Sequence, residues 1–100
     1  MARKIVWSRE SQNDKKDIFT YWNDRNKSKL YSRKLNKLFI AAVEFVAEFP
    51  LVGKKSNIEN VRMKVVRDYL IIYEFSDEYI SILRVWSTQQ NPGRIKQILG

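Results

Sequence analysis

Four cations, Arg62, Lys64, Arg67 and Arg84, are set among Tyr69, Tyr73 and Trp86 within one largely apolar stretch, VRMKVVRDYLIIYEFSDEYISILRVW, from Val61 to Trp86. Cations held beside aromatic rings either bind something anionic or make a catalytic floor that stabilises negative charge building up in a reaction. The second chemistry also needs proton transfer, and composition restricts who could perform it. The chain has no histidine and no cysteine, which leaves Glu, Asp, Lys or Tyr as acid or base. The same absences remove thiolate metal sites, disulfides and the commonest metal ligand, so neither a metal nor another cofactor is expected.

A second concentration of charge runs through Arg25, Lys27, Lys29, Arg33, Lys34 and Lys37, six cations with no acid between them. On a helix, Arg33 and Lys37 stand four apart and repel, so the run is slightly destabilising unless an anion lies on it. It is either a solvated face or a contact, through Arg25, Lys29, Arg33 and Lys37, for an acidic protein segment or a nucleic-acid-bearing target. Over the 100 residues, 19 Lys plus Arg against 11 Asp plus Glu leave a net charge of +8. That imbalance favours an anionic partner without naming it.

The elements that must position these residues follow from periodicity. With 44% hydrophobic and 13% aromatic residues, residues 1–100 are expected to form one domain around one core. Lys4 to Trp7 reads as a short strand. Ser8, with Glu10 in the next turn, reads as the N-cap of a first helix running to about Asp24, its apolar face supplied by Ile18, Phe19, Tyr21 and Trp22. The polar NDRNKS from Asn23 to Ser28 separates it from a second, longer helix. There Tyr31, Leu35, Leu38, Ala42, Phe45 and Phe49 recur at steps of three and four, and both apolar stripes are expected to be core. Pro50 and Gly53 stop that helix, and Lys54 to Asn60 reads as a polar connection.

Three strands follow, Val61 to Val66, Tyr69 to Phe75 and Tyr79 to Trp86, joined at Arg67-Asp68 and at Ser76-Asp77-Glu78. Such short joins predict an antiparallel meander. The fold class is therefore α+β, an N-terminal strand and a helical hairpin packed on one face of a small antiparallel sheet, with the other face partly open. Arg62 and Lys64 share a side of their strand, and Tyr69, Ile71, Tyr73 and Phe75 share a side of theirs. Core packing is the plain role for Tyr73. Tyr69 is core or contact, Trp86 is a half-buried cap or an exposed contact, and Arg62 and Lys64 are solvated positions or contacts. Pro92 interrupts the C-terminal segment, where residues 93–99 read as one helical turn or a tail. No apolar run approaches the ~20 residues of a membrane span and no secretory leader is read, so a soluble, cytoplasmic protein is expected.

These pieces in this order resemble the RelE/ParE superfamily of bacterial toxin-antitoxin toxins. The resemblance is carried by DIFTYW at 17–22, AEFPLVGKK at 47–55, VRMKVVRDYLIIYEF at 61–75 and ISILRVWSTQQNP at 80–92. Within these, the spacing of Tyr69 and Tyr73, the Leu-Arg-Val-Trp at 83–86 and the Asn-Pro at 91–92 are the most specific. The resemblance implies the same fold, and two mechanisms divide the superfamily. RelE-like members cut messenger RNA in the ribosome, which would make Arg62, Lys64, Arg67 and Arg84 the candidate catalytic cations. ParE-like members bind DNA gyrase and block it without chemistry of their own.

Departures from the nuclease branch decide between them. Leu70 stands where that branch often has Arg, and Ser87-Thr88-Gln89-Gln90 replaces its basic or histidine-bearing segment. Losing a positioned cation or proton donor costs about a hundredfold or more in rate. DIFTYW, AEFPLVGKK and the Asn-Pro ending are closer to ParE. The resemblance thus implies a gyrase-inhibiting toxin, with a ribosome-dependent endoribonuclease as the alternative and a decayed, non-toxic interaction module as a third. It implies as partner an antitoxin whose acidic and apolar segment folds on binding. Arg62, Lys64 and Arg84, with Tyr69 and Trp86, are then expected to form one surface touching either target or antitoxin.

Overall fold

The computed structural model describes residues 2–89. Strand β1 (Lys4–Trp7) leads into helix α1 (Arg9–Asn26), helix α2 (Leu30–Glu48), a 3-10 turn (Pro50–Val52) and strands β2 (Lys54–Lys55), β3 (Val61–Val66), β4 (Tyr69–Phe75) and β5 (Tyr79–Ser87). The sheet order is β1-β5-β4-β3-β2. β2, β3, β4 and β5 run antiparallel in turn, while β1 lies parallel to β5. The expected meander is therefore present inside a mixed five-stranded sheet. β2 comes from the segment read as a polar connection, where Lys54 and Lys55 pair with Met63 and Arg62. Residues 90–100, including Gln90, Asn91, Pro92 and the 93–99 segment, lie outside the described residues.

Ser8 caps α1 as its sequence suggests. Its hydroxyl accepts from the Ser11 N–H at 3.0 Å and donates to the Leu83 carbonyl at 2.9 Å, and its own N–H donates to Ile82 O at 3.0 Å. One residue thus starts the helix and fastens it to β5. α1 continues two residues past Asp24 because Lys27 takes a left-handed cap, φ 52°, and returns its N–H to Asn23 O. Asn23 remains helical, and its side chain accepts from the Ser32 hydroxyl of α2.

Of the stripe its spacing suggests, α2 buries Leu35 fully and packs Tyr31, Leu38 and Ala42 against the core, but the centre of the buried row is shifted. Leu35, Phe39, Val43 and Val46 are fully buried, while Phe45 and Phe49 are 45% and 51% exposed. Tyr21 of α1, also expected in the core, is more than half exposed. The reason is that apolar residues occupy more than half of the α2 circumference, so the stripe through Leu38, Phe45 and Phe49 sits at the margin of the contact. The buried row packs on Tyr69, Ile71, Tyr73, Ile80, Ile82 and Val85, with Ile18, Phe19 and Trp22 against them. The other sheet face carries a second apolar cluster, Val61, Met63, Leu70 and Ile72, with Leu83 and Trp86 packed on it.

Tyr73 fastens the end of α2 to the sheet. It is fully buried; its hydroxyl donates to Pro50 O at 2.6 Å and accepts from the Gly53 N–H at 3.1 Å. A Cβ on Gly53 would stand 2.3 Å from that hydroxyl, so the close approach of chain to phenol requires glycine there.

Candidate interaction surfaces

Cross-strand pairing decides where the expected site residues go. Arg62 lies opposite Tyr73 and Lys64 opposite Ile71, and paired residues share a face. Both cations therefore lie on the helix side of the sheet. Arg62 Nη1 donates to Gly53 O at 2.9 Å and to Leu51 O at 3.2 Å, so it caps the backbone that follows α2. Lys64 Nζ lies 5.7 Å from the Phe45 ring centre. Arg67 is exposed in the β3–β4 turn with φ 57°.

Arg84 belongs to a different neighbourhood. Its Nε and Nη2 donate to Asp14 Oδ2 and Oδ1 at 2.8 and 3.0 Å, and Asp14 Oδ2 also accepts the Val85 N–H at 2.9 Å. The bond to Asp14 raises the guanidinium's pKa above its usual value, against a smaller opposing effect of burial. Its guanidinium carbon lies 5.5 Å from the Trp86 ring. Tyr69 accepts the Trp22 indole N–H on its hydroxyl at 2.7 Å. Burial pushes the Tyr69 pKa up, the Trp22 bond partly offsetting it.

Tyr69, Arg84 and Trp86 line a recess of about 810 Å³ between α1 and the ends of β4 and β5. Asp14, Asp17, Asp68 and Arg25 line it too, so three carboxylates face two guanidinium groups there, a poor setting for a phosphate. The five residues expected to form one surface are thus divided. Arg62 and Lys64 border the end of α2, and Tyr69, Arg84 and Trp86 border α1. Leu70 belongs to the second apolar cluster, and Thr88 donates to the Asp68 carbonyl through both its N–H and its hydroxyl. Among the described residues no three Asp or Glu side chains are grouped to hold a metal ion.

Two features escaped the sequence reading. Asp14, the partner of Arg84, is 70 positions away in the chain, and nothing in its local sequence marks it. The other is an exposed apolar patch at the end of α2, made by Phe45, Phe49, Leu51 and Val52, with the two phenyl rings 5.2 Å apart. It adjoins an edge of the sheet: β2 pairs with Met63 and Arg62, and among the described residues no strand pairs with residues 64–66 of β3 on that side. The surplus of apolar residues on α2 was the available signal for it. The basic run is exposed throughout. Arg25 reaches the Tyr21 hydroxyl at 3.3 Å and lies 6.0 Å from the Trp22 ring, and Lys27, Lys29, Arg33, Lys34 and Lys37 form no ion pair among the described residues.

Two helices packed on a five-stranded mixed sheet form an α+β arrangement found in solved toxin-antitoxin structures. The fold is shared with the chromosomal ParDE toxin-antitoxin system of P. aeruginosa, at TM-score 0.71 and 16% identity over 86% of this chain and 96% of that one. It is also shared with the E. coli DinJ-YafQ toxin-antitoxin complex, at TM-score 0.53 and 17% identity over 91% and 98%. No curated protein matches in sequence. Residues 5–92 match the family described as ParE toxin of type II toxin-antitoxin system, parDE, and the chain belongs to that family. It is a type II toxin of the ParE type.

Proposed function

We propose that this toxin arrests DNA gyrase by binding it, with no bond-making step of its own, and is silenced by an antitoxin chain. The observation that carries the reading is that two of the four candidate catalytic cations, and the Tyr69 hydroxyl, are already committed to partners. Arg84 is held by Asp14, Arg62 by two backbone carbonyls, and the Tyr69 hydroxyl by Trp22. A cation already neutralised by a carboxylate gives little to a developing oxyanion. Arg84 and Trp86, side by side on the recess, are assigned to the target contact.

The antitoxin is assigned to the other pole. Phe45, Phe49, Leu51 and Val52 offer the apolar centre of an interface, and Lys54, Lys55, Arg62 and Lys64 surround it with positive charge. That combination fits an acidic, apolar segment that orders on binding, and the stretch of β3 that no described strand pairs offers it backbone partners. The test is induced expression of the toxin alone. DNA damage response and filamentation with translation intact support the reading, as does inhibition of purified gyrase. Immediate translational arrest with cleaved messenger would replace it with the endoribonuclease, and normal growth with a module that has lost its activity.

A further inference from the structure

The charges on α2 run against its own dipole. Lys29 stands at its N-cap, and Arg33, Lys34 and Lys37 fill its first half; Glu44 and Glu48 fill its second, with no acid in the first turn and no base in the last. A helix is stabilised by the opposite arrangement. Local rules broken without a compensating contact point to function, and here Lys29, Arg33, Lys34 and Lys37 form no ion pair among the described residues. Arg25 and Lys27 extend the positive field across the tip of the hairpin. The β3–β4 turn that carries Arg67 lies at the same end, because Trp22 of α1 is bonded to Tyr69, which follows that turn. Asp24 and Asp68 lie at this end, and Asp14 and Asp17 line the recess beside Arg25.

From this we propose that the tip of the helical hairpin contacts the phosphate backbone of duplex DNA, independently of sequence. Three observations select that partner. Four of the six cations are lysines, which protein interfaces disfavour and which bind phosphate as point charges. At the tip Leu30 and Tyr21 are exposed, but the paired phenyl rings of Phe45 and Phe49 lie toward the other end of α2, Phe49 being 16 residues from Arg33 and so roughly 24 Å along the helix. A single strand would want a row of stacking rings, whereas Tyr21 lies edge-on to Trp22 at 5.1 Å with its hydroxyl held by Arg25. The inference rests on charge and geometry alone and is independent of the gyrase reading.

The experiment measures binding of the full-length free toxin to a labelled 25-base-pair duplex of arbitrary sequence by fluorescence anisotropy, from about 50 to 200 mM salt, the range over which such contacts weaken steeply. Contact with four or five phosphates gives a slope of log affinity against log salt of about −4. The triple variant Lys29→Gln, Arg33→Gln, Lys37→Gln is expected to flatten that slope by about 3, at about 0.9 for each phosphate no longer neutralised. Arg33→Gln alone should flatten it by about 1 and serves if the triple variant misfolds. A matched triple, Lys4→Gln, Arg9→Gln, Lys16→Gln, removes the same charge from other exposed sites and should leave the slope within about 1 of the wild type. Equal loss in both triples, or none in the hairpin triple, would overturn the proposal. So would tighter binding to single-stranded RNA of the same length than to the duplex, or a hairpin triple that loses affinity for an oligo-glutamate peptide while keeping it for DNA.

Discussion

Replacing Gly53 with alanine should destabilise the toxin far more than glycine-to-alanine changes usually do. The backbone there has φ −70°, which any residue adopts, so the obstacle is space. A methyl group would stand 2.3 Å from the Tyr73 hydroxyl and 2.9 Å from both Tyr73 Cε1 and the Met63 carbonyl oxygen. Relief requires the phenol to move, and moving it breaks the bonds to Pro50 O and from Gly53 N–H in a fully buried position. Overpacking of this kind costs about 1–3 kcal/mol, and stranding buried polar groups adds about 1–3 more; together we expect about 3–4 kcal/mol.

Tyr73→Phe tests the cause. Alone it removes the hydroxyl and leaves Gly53 N–H and Pro50 O without it, for about 2 kcal/mol. In that background the alanine methyl meets a ring edge rather than the oxygen, so the double variant should cost about 3–4 kcal/mol instead of the additive sum of about 5–6. Urea unfolding with a common m-value reads each difference. Additivity within about 0.5 kcal/mol, or a Gly53→Ala cost below about 1 kcal/mol, within the range of ordinary substitutions, would refute the argument. The same lock holds the Pro50–Val52 turn, so Gly53→Ala should also weaken antitoxin binding through Leu51 and Val52.

Burial raises the pKa of both Tyr69 and Tyr73 above the usual 10.0, so their stabilising contribution is complete below that pH and is lost as pH rises through the folded values; Lys15, depressed from 10.5 by burial, acts in the opposite sense only up to that pH, and thermal melts should show falling stability above pH 10.5. Asp14→Ala removes both Arg84 bonds and the Val85 acceptor, and with the carboxylate 15% and the guanidinium 33% exposed the cost falls between surface and buried pairs, about 2 kcal/mol by urea unfolding. Phe45→Ser with Phe49→Ser should change folding stability by only about 1 kcal/mol, since both rings are half exposed, yet weaken antitoxin binding about tenfold or more in a titration; unchanged affinity would place the antitoxin elsewhere.

Strand limits could be read directly because β3, β4 and β5 are bounded by the short turns at Arg67-Asp68 and at 76–78. The Ser8 cap was equally readable, being a local arrangement. The parallel pairing of β1 with β5 was not, because 75 residues separate Lys4 from Tyr79 and no local rule reports such a contact. Sequence also could not say which row of α2 is buried. Leu35, Phe39, Val43 and Val46 form one acceptable stripe, Leu38, Phe45 and Phe49 another, and only the sheet chooses between them.

The hardest part was the side of the sheet on which β3 puts its charges. Val61, Met63 and Val65 alternate with Arg62 and Lys64, and in a sheet with one buried face the apolar row would point at the helices and the cations at solvent. This sheet is apolar on both faces. Val61 and Met63 join Leu70 and Ile72 in the second cluster, which turns Arg62 and Lys64 toward the end of α2, where a guanidinium satisfies the carbonyls of Leu51 and Gly53. Arg62 and Lys64 thus lie beside the apolar patch at the end of α2 rather than on an open face of the sheet. The physical lesson is that the spacing of β3 fixed which residues travel together, and the hydrophobicity of its neighbours fixed which way they face. The same reasoning bears on function: a cation that caps a carbonyl or balances an aspartate is held too firmly to follow a reacting phosphate, but is well placed to give a partner's docking surface its shape and sign.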